Sequence, residues 1–385
     1  MTRLYADHNA TSPLRSEARA AMLAALELGG NPSSVHTDGR AAKRILEDSR
    51  ETLARMLECA PDAIIFTSGA TEALHLALEA AKANGFETVF LSAIEHDAVW
   101  TYAHKLWPEL TIVPVTDQGA LDVDWLEAAL GSCVGRPLLI AQGANHETGA
   151  IQNLDRLSTV VRLRGGAILC DGVQMLGKLP ASAFAGLADW LVVSGHKIGG
   201  PFGVGALICA PGLVQQSVRQ GGGQERGLRS GTENVPAIAG FAAAAETACT
   251  DEAVAAFQAR TSKERDSFEA RIGEAFDGLV IISHGARRLA NTACVAVPHW
   301  EAARQVMALD LAGMAVSAGA ACSSGKVKRS RILAAMGFGP EVSGCAIRAS
   351  FGWNTQAGDG DRLAQAYIKA GAPHLRTHRA QPVSA

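Results

Sequence analysis

Asp189-Trp190-Leu191-Val192-Val193-Ser194-Gly195-His196-Lys197-Ile198-Gly199-Gly200-Pro201 reads as a buried strand and the loop that leaves it. Trp190 to Val193 is an apolar, partly β-branched run of strand length. Ser194 to Lys197 follow it directly, and glycine and proline then end regular structure. Open α/β sheets hold their ligands outside the carboxyl ends of the strands, so Lys197 is aimed at that rim. Taken alone, such a lysine is more readily a solvated loop charge. A second apolar run, Ala167-Ile168-Leu169-Cys170, ends in Asp171-Gly172-Val173-Gln174 and brings an acid to the same rim. An amine able to form a Schiff base and a carboxylate able to face a pyridinium nitrogen are the pair that pyridoxal 5'-phosphate (PLP) requires.

The chain has 385 residues, too many for one simple core, so a large and a smaller domain are expected. The division expected is an N-terminal arm over 1–14 packing with the small domain, a large PLP-binding domain over 15–250, a small domain over 251–373 and a flexible tail over 374–385. Apolar residues make up 48% and charged residues 19%, which suits a globular enzyme. A formal net charge of −3 carries no electrostatic footprint for direct binding of nucleic acid or an anionic membrane. The opening MTRLYADHNAT holds no apolar signal region and no run reaches bilayer length, so a cytoplasmic protein is expected. The eight cysteines are scattered without a CxxC pair, which argues against a zinc site and a disulfide framework.

The β/α alternation extends on both sides of Lys197. Ala63-Ile64-Ile65-Phe66 reads as a strand, then Thr67-Ser68-Gly69-Ala70-Thr71-Glu72 opens a long Ala/Leu helix. Strand, glycine turn and helix start form an anion cup, because the first helical N–H groups are unpaired. Such turns often only cap a helix, but beside Lys197 and Asp171 this one becomes the candidate phosphate site. Thr88–Ala93 ends in Ile94-Glu95-His96, where His96 offers a flat ring to stack on a cofactor. Pro137–Ala141 runs into Asn145-His146-Glu147-Thr148-Gly149. The glycine-rich segment from Gly221 to Asn234 carries Arg226, Arg229 and Thr232, and reads as a phosphate-binding loop, a subunit contact, or both. After a helical spine to Phe276 the chain reads as α+β. There Cys322 sits in Ala318-Gly319-Ala320-Ala321-Cys322-Ser323-Ser324-Gly325, a setting suited to a mobile, reactive thiol. Arg348, in a last strand, suits bidentate binding of a carboxylate.

Together these motifs resemble the cysteine desulfurases of the NifS type, in the aminotransferase class V group of fold-type I PLP enzymes. The resemblance runs from Tyr5-Ala6-Asp7-His8-Asn9-Ala10-Thr11 to Asn354-Thr355, and its most specific pieces are NPSSVH, FTSGATEA, SGHK, GTENVP and SAGAACSSG. It implies a large α/β domain with a mainly parallel sheet and a smaller α+β domain. Lys197 would hold PLP, Asp171 would face the ring nitrogen, Gln174 would contact the ring oxygen and His96 would stack on the ring. Ala70, Thr71, Ser194 and His196 would bind the phosphate, joined by Thr232 from the second subunit of a homodimer. Arg348 would hold the carboxylate of L-cysteine and Cys322 would take its sulfur, to be passed to an iron–sulfur scaffold or another acceptor, for cluster assembly or tRNA thiolation. A selenocysteine lyase and a class V transaminase share the scaffold and stand as alternatives. Two departures are visible: His146 where relatives have asparagine, and Phe202 where they usually have lysine. Negative groups of substrate and cofactor would draw His146 toward its protonated form, while a neutral ring hydrogen-bonded to the backbone is the commoner fate of such a histidine.

Overall fold

The structure is a computed structural model describing residues 3–213, 221–319 and 329–378, with side chains described to 372. In chain order, β1 (Leu4–Tyr5), α1 (Ser16–Leu28) and α2 (Thr37–Leu57) precede β2 (Ile64–Thr67) and α3 (Ala70–Ala83). The alternation continues through β3 (Thr88–Ser92), α4 (Asp97–Leu106), β4 (Thr111–Val113), α5 (Val123–Ser132), β5 (Pro137–Gln142), α6 (Leu154–Arg162), β6 (Ala167–Asp171), β7 (Trp190–Ser194) and β8 (Gly205–Cys209). Helices α7 (Val235–Ala248) and α8 (Asp251–Ala275) follow. Beyond them lie β9 (Val280–Ile281), β10 (Thr292–Ala296), α9 (Ala302–Leu311), β11 (Met314–Ala315) and β12 (Ser317–Ala318). The chain closes with α10 (Arg331–Ala335), α11 (Pro340–Ser343), β13 (Ala346–Ser350) and α12 (Asp359–His378).

The first group of strands forms one seven-stranded sheet in the order β2-β8-β7-β6-β5-β3-β4. All neighbours pair parallel except β8, which is antiparallel to both β2 and β7. The connection from β7 to β8 is too short for a crossover helix, so the chain must turn back on itself. The expected α/β class with a mainly parallel sheet is therefore the one observed. Side chains alternate across the sheet with the period of two that strands impose. Ile64, Phe66, Leu191 and Val193 face a core built with α2, α5, α6 and α7. Ile65, Trp190 and Val192 face the opposite core, built with α3 and α4. Each such fully buried aliphatic side chain contributes roughly 1.5–3 kcal/mol.

The later strands form an antiparallel sheet, β12-β13-β10-β9. Its core joins Val295 and Ile347 to Phe268 of α8, Leu309 of α9 and Tyr367 of α12. The N-terminal arm belongs to this core: Leu4 lies in it, β1 pairs parallel with β11, and Ser350 N donates to Ala6 O at 2.7 Å. The sequence reading did not place α12, which runs past Pro373 to His378. Among the described residues no helix is long and apolar enough to cross a membrane.

Candidate active site

The carboxyl ends of β2, β5, β6 and β7 carry Thr67, Gln142, Asp171 and Ser194 to one rim, where a cavity of about 880 Å³ opens. Ala70, Thr71, His96, His146, Asp171 and Gln174 line it, as do Ser194, His196, Lys197 and Arg348. Thr232 does not; it lines a neighbouring cavity of about 240 Å³ with Ser68 and Glu233. Cys322 lies outside the described residues.

A single 3₁₀ turn, Gly195–Lys197, carries Lys197 out of β7. Its Nζ donates to Asn9 O at 2.7 Å and to Ala10 O at 2.8 Å. Burial, helped by the Arg348 charge and opposed by Asp171 and Asp7, brings the amine down to about 8. A fraction of the amine is therefore uncharged at neutral pH, the form that acts as nucleophile or base. Asp171 ends β6 with Oδ1 accepting from Val173 N at 3.0 Å. Burial pushes its carboxyl up, against the Val173 hydrogen bond and the pull of His96 and Lys197. Beneath it sits Glu95, unforeseen in the sequence. Its Oε1 accepts from Gln142 N at 2.7 Å and its Oε2 is buried without a partner. Burial and the Asp171 charge raise Glu95 to about 8, so it keeps its proton at neutral pH.

Helix α3 begins with its N-terminus open to the cavity. Gly69 is its N-cap at φ 151°, ψ 175°, and no side chain caps the first turn. Only glycine takes that conformation without strain. Gly205 lets the backbones meet: a Cβ there would lie 2.8 Å from the Gly69 carbonyl carbon. The unpaired first-turn N–H groups thus face space able to hold an anion. At the same end His196 Nδ1 lies 3.2 Å from Thr11 Oγ1. Burial and the nearby Lys197 drop the imidazole to about 4, leaving it neutral. Phe202 stacks over His196 at 5.6 Å between centroids.

His96 caps α4 through Nδ1, which accepts from Ala98 N at 3.1 Å, and meets His146 edge-on at 5.0 Å. Of the two readings of His146, the surroundings favour the neutral ring and not the charged one. Burial comes first, and then His96, Arg348, Lys197 and Arg331 push it further the same way, well below 6.5. Its Nδ1 is buried without a partner, and Nε2 is 4.0 Å from Glu147 Oε1. Glu147, raised to about 7 chiefly by burial, accepts from Ser330 Oγ at 2.6 Å. Arg348 donates through Nη2 to Asp7 Oδ1 at 2.7 Å and through Nη1 to His146 O at 2.9 Å. Its Nε is buried and unpartnered. The guanidinium is thus fixed by the arm while the residue lines the cavity.

Asn9 joins these pieces, and sequence reasoning assigned it no role. Its carbonyl accepts from Lys197 and from Gln174 Nε2, while Oδ1 accepts from Lys178 Nζ at 2.7 Å and Asn291 Nδ2 at 3.1 Å. Its Nδ2 donates to Thr292 Oγ1 at 2.9 Å. The seven described cysteines contrast with this polar site: five are buried and two half-buried. Burial lifts Cys209 and Cys249 to about 12, where thiolate is scarce.

The aminotransferase class-V model matches residues 4–363 of the chain. The cysteine desulfurase of Cereibacter sphaeroides is 38% identical over 373 residues, covering 95% of each chain. Cysteine desulfurase IscS 1 of Archaeoglobus fulgidus is 34% identical, covering 94% of this chain and 95% of its own. The crystal structure of a NifS-like protein from Rickettsia africae superposes with a TM-score of 0.87 at 29% identity, covering 97% of this chain and 99% of that one. The chain belongs to the aminotransferase class-V family, in its cysteine desulfurase group.

The enzymes of this family work with PLP, and the residues here fit that group. An open helix N-terminus with Thr71, Ser194 and neutral His196 suits a phosphate. A carboxylate and a partly uncharged amine on adjacent strands suit the two ends of a pyridine aldehyde.

Proposed function

We propose that the chain is a PLP-dependent cysteine desulfurase that converts L-cysteine to L-alanine and keeps the sulfur as a persulfide on Cys322. One observation carries the site assignment: the Lys197 amine and the Asp171 carboxylate leave neighbouring parallel strands and line one cavity with the α3 N-terminus and Arg348. Lys197 would hold the cofactor covalently. Asp171 would keep a proton on its ring nitrogen, and Gln174 would meet the ring oxygen. His96 would cover its face. Ala70, Thr71, Ser194 and His196 would hold the phosphate, with Thr232 supplied by the second subunit of a homodimer. When bound, PLP withdraws electron density from the amino acid and makes its α-proton acidic.

The remaining chemistry belongs to the chain's own groups. Arg348, which lines the cavity, binds the substrate carboxylate. Lys197, with its amine near 8, takes the α-proton as general base. Cys322 attacks the substrate sulfur as thiolate: an S–S bond forms, the C–S bond breaks, and carbon takes up a proton to become the methyl of alanine. Cysteine and one thiol become alanine and one persulfide, with no outside oxidant. The persulfide then passes to an acceptor such as an iron–sulfur scaffold, in the cytoplasm. His146, a neutral ring lining the cavity, would lie near the substrate.

The test is direct. Purified protein should be yellow and should release alanine from L-cysteine, with sulfide when a reductant is present. Borohydride should fix the cofactor on the Lys197 peptide. Cys322→Ser should keep the colour and release neither product. Borohydride label on Lys178, or full sulfide release by Cys322→Ser, would overturn the assignment. Consumption of a 2-oxo acid would point to a transaminase, and preferential turnover of L-selenocysteine to a lyase.

A further inference from the structure

Lys178 is a buried lysine to which neither the family pattern above nor the reaction gives a part. It stays out of the main cavity and instead borders a small void beside Lys197 and His8. Its amine has two oxygen partners, Asn9 Oδ1 at 2.7 Å and Gln174 Oε1. Gln174 is also buried, but it does line the cavity. Its Nε2 gives one hydrogen to Asn9 O at 2.9 Å. A carboxamide nitrogen has two hydrogens, so one is left over.

We propose that Lys178 is a positioning residue: by holding the Gln174 carbonyl from behind, it forces the Gln174 carboxamide to present N–H, never C=O, to a ligand in the cavity. Both ends of the amide agree on this orientation. The Asn9 carbonyl can only accept, so it must face Nε2. The lysine amine faces an acceptor, so it must face Oε1. Turning the amide over would set the Gln174 and Asn9 carbonyl oxygens against each other and cost the buried amine one of its two acceptors. Burial and the charges of Lys197 and Arg348 lower the Lys178 amine. Even uncharged it has two N–H groups for its two oxygens, and the Asn9 carbonyl, which can only accept, still fixes the amide. The ligand chemistry follows from the presented hydrogen: an oxygen acceptor on the ring side of the cofactor. The proposal rests on the PLP reading of this cavity.

The experiment compares PLP-loaded wild type with Lys178→Met, Gln174→Leu and the double variant. Three readouts are taken: the visible absorption maximum, the PLP dissociation constant and Tm. Lys178→Met and Gln174→Leu should each move the absorption maximum and weaken PLP about tenfold, as expected for one hydrogen bond to a charged acceptor. The double variant should go no further than either single one, because both act through one donor. Lys178→Gln, which keeps a buried donor, should restore the wild-type spectrum. A lower Tm for Lys178→Met with unchanged spectrum and affinity would overturn the proposal, as would additive losses in the double variant. Should Lys178→Met not fold, Gln174→Glu carries the test, since it offers oxygens alone: unweakened PLP binding there also overturns it. A colourless wild type would instead remove the PLP reading and this proposal together.

Discussion

Charge state decides what individual residues can do in this cavity. His146 is buried beside Arg348, Lys197 and Arg331 and pushed well below 6.5, so it stays neutral across the working range. His146→Asn should therefore leave the kcat/KM profile against pH unchanged in shape; a lost ionisation in that profile would show that the ring carries charge. Glu95 behaves in the opposite sense. Its carboxyl keeps a proton up to about 8 when folded, whereas an unfolded glutamate releases it near 4.3. The native state thus binds more protons between those values, and this residue makes stability fall as pH rises through that window. Glu95→Gln should flatten the decline, by a few kcal/mol between about pH 5 and pH 8 in order of magnitude. Denaturant midpoints at the two pH values read this, and equal slopes for variant and wild type would sink it. Glu95 was not legible in the sequence, because nothing local distinguishes a carboxylate in IEHD that ends beneath a sheet from one on a surface. Lys197 and Asp171 were legible, since each follows a continuous apolar strand.

At the scale of elements, the start of α3 is the feature most open to a single change. Gly69 sits at φ 151° with nothing within 4 Å of a built Cβ. Any damage from a side chain there must come from backbone strain, roughly 1–3 kcal/mol, and not from a clash. Gly69→Val should shift the first turn of α3, so PLP affinity should fall more than Tm does. A variant that loses stability but binds PLP normally would show that the turn is only a cap. Strands and most helices were readable within two or three residues, because β2, β5, β6 and β7 are continuous apolar runs buried on both faces. The direction of β8 was not readable, as it depends on how the chain after Lys197 turns. Helix α12 was missed because the apolar stripe of Leu363 and Tyr367 lies among glycines and a proline that argue against a helix.

At the scale of the whole molecule, the site draws on both ends of the chain. Asp7 and Asn9 from the arm meet Arg348, Asn291 and Thr292 from the second core and Lys178 and Lys197 from the first. Sequence motifs could mark the arm as family-like but could not say what it touches. Such contacts are fixed only by the finished fold. The order of refolding should follow. Trp190 lies in a core made by neighbouring β/α units, while Asn9 reaches partners 188 and 341 positions away at Lys197 and Ser350. Closing long loops is slow relative to local pairing. After dilution from denaturant with PLP present, tryptophan fluorescence should recover before the visible absorption of bound cofactor. Simultaneous recovery would contradict this order.

The same Asn9 contacts bear on synthesis. A ribosome releases the arm long before Ser350, yet Asn9 N needs Ser350 Oγ, 2.9 Å away, to complete its hydrogen bonds. Through most of translation, then, the reactive amine of Lys197 exists in a chain whose arm has no final anchor. The Lys197 side of the cavity therefore gains its last arm contact only once Ser350 has been made.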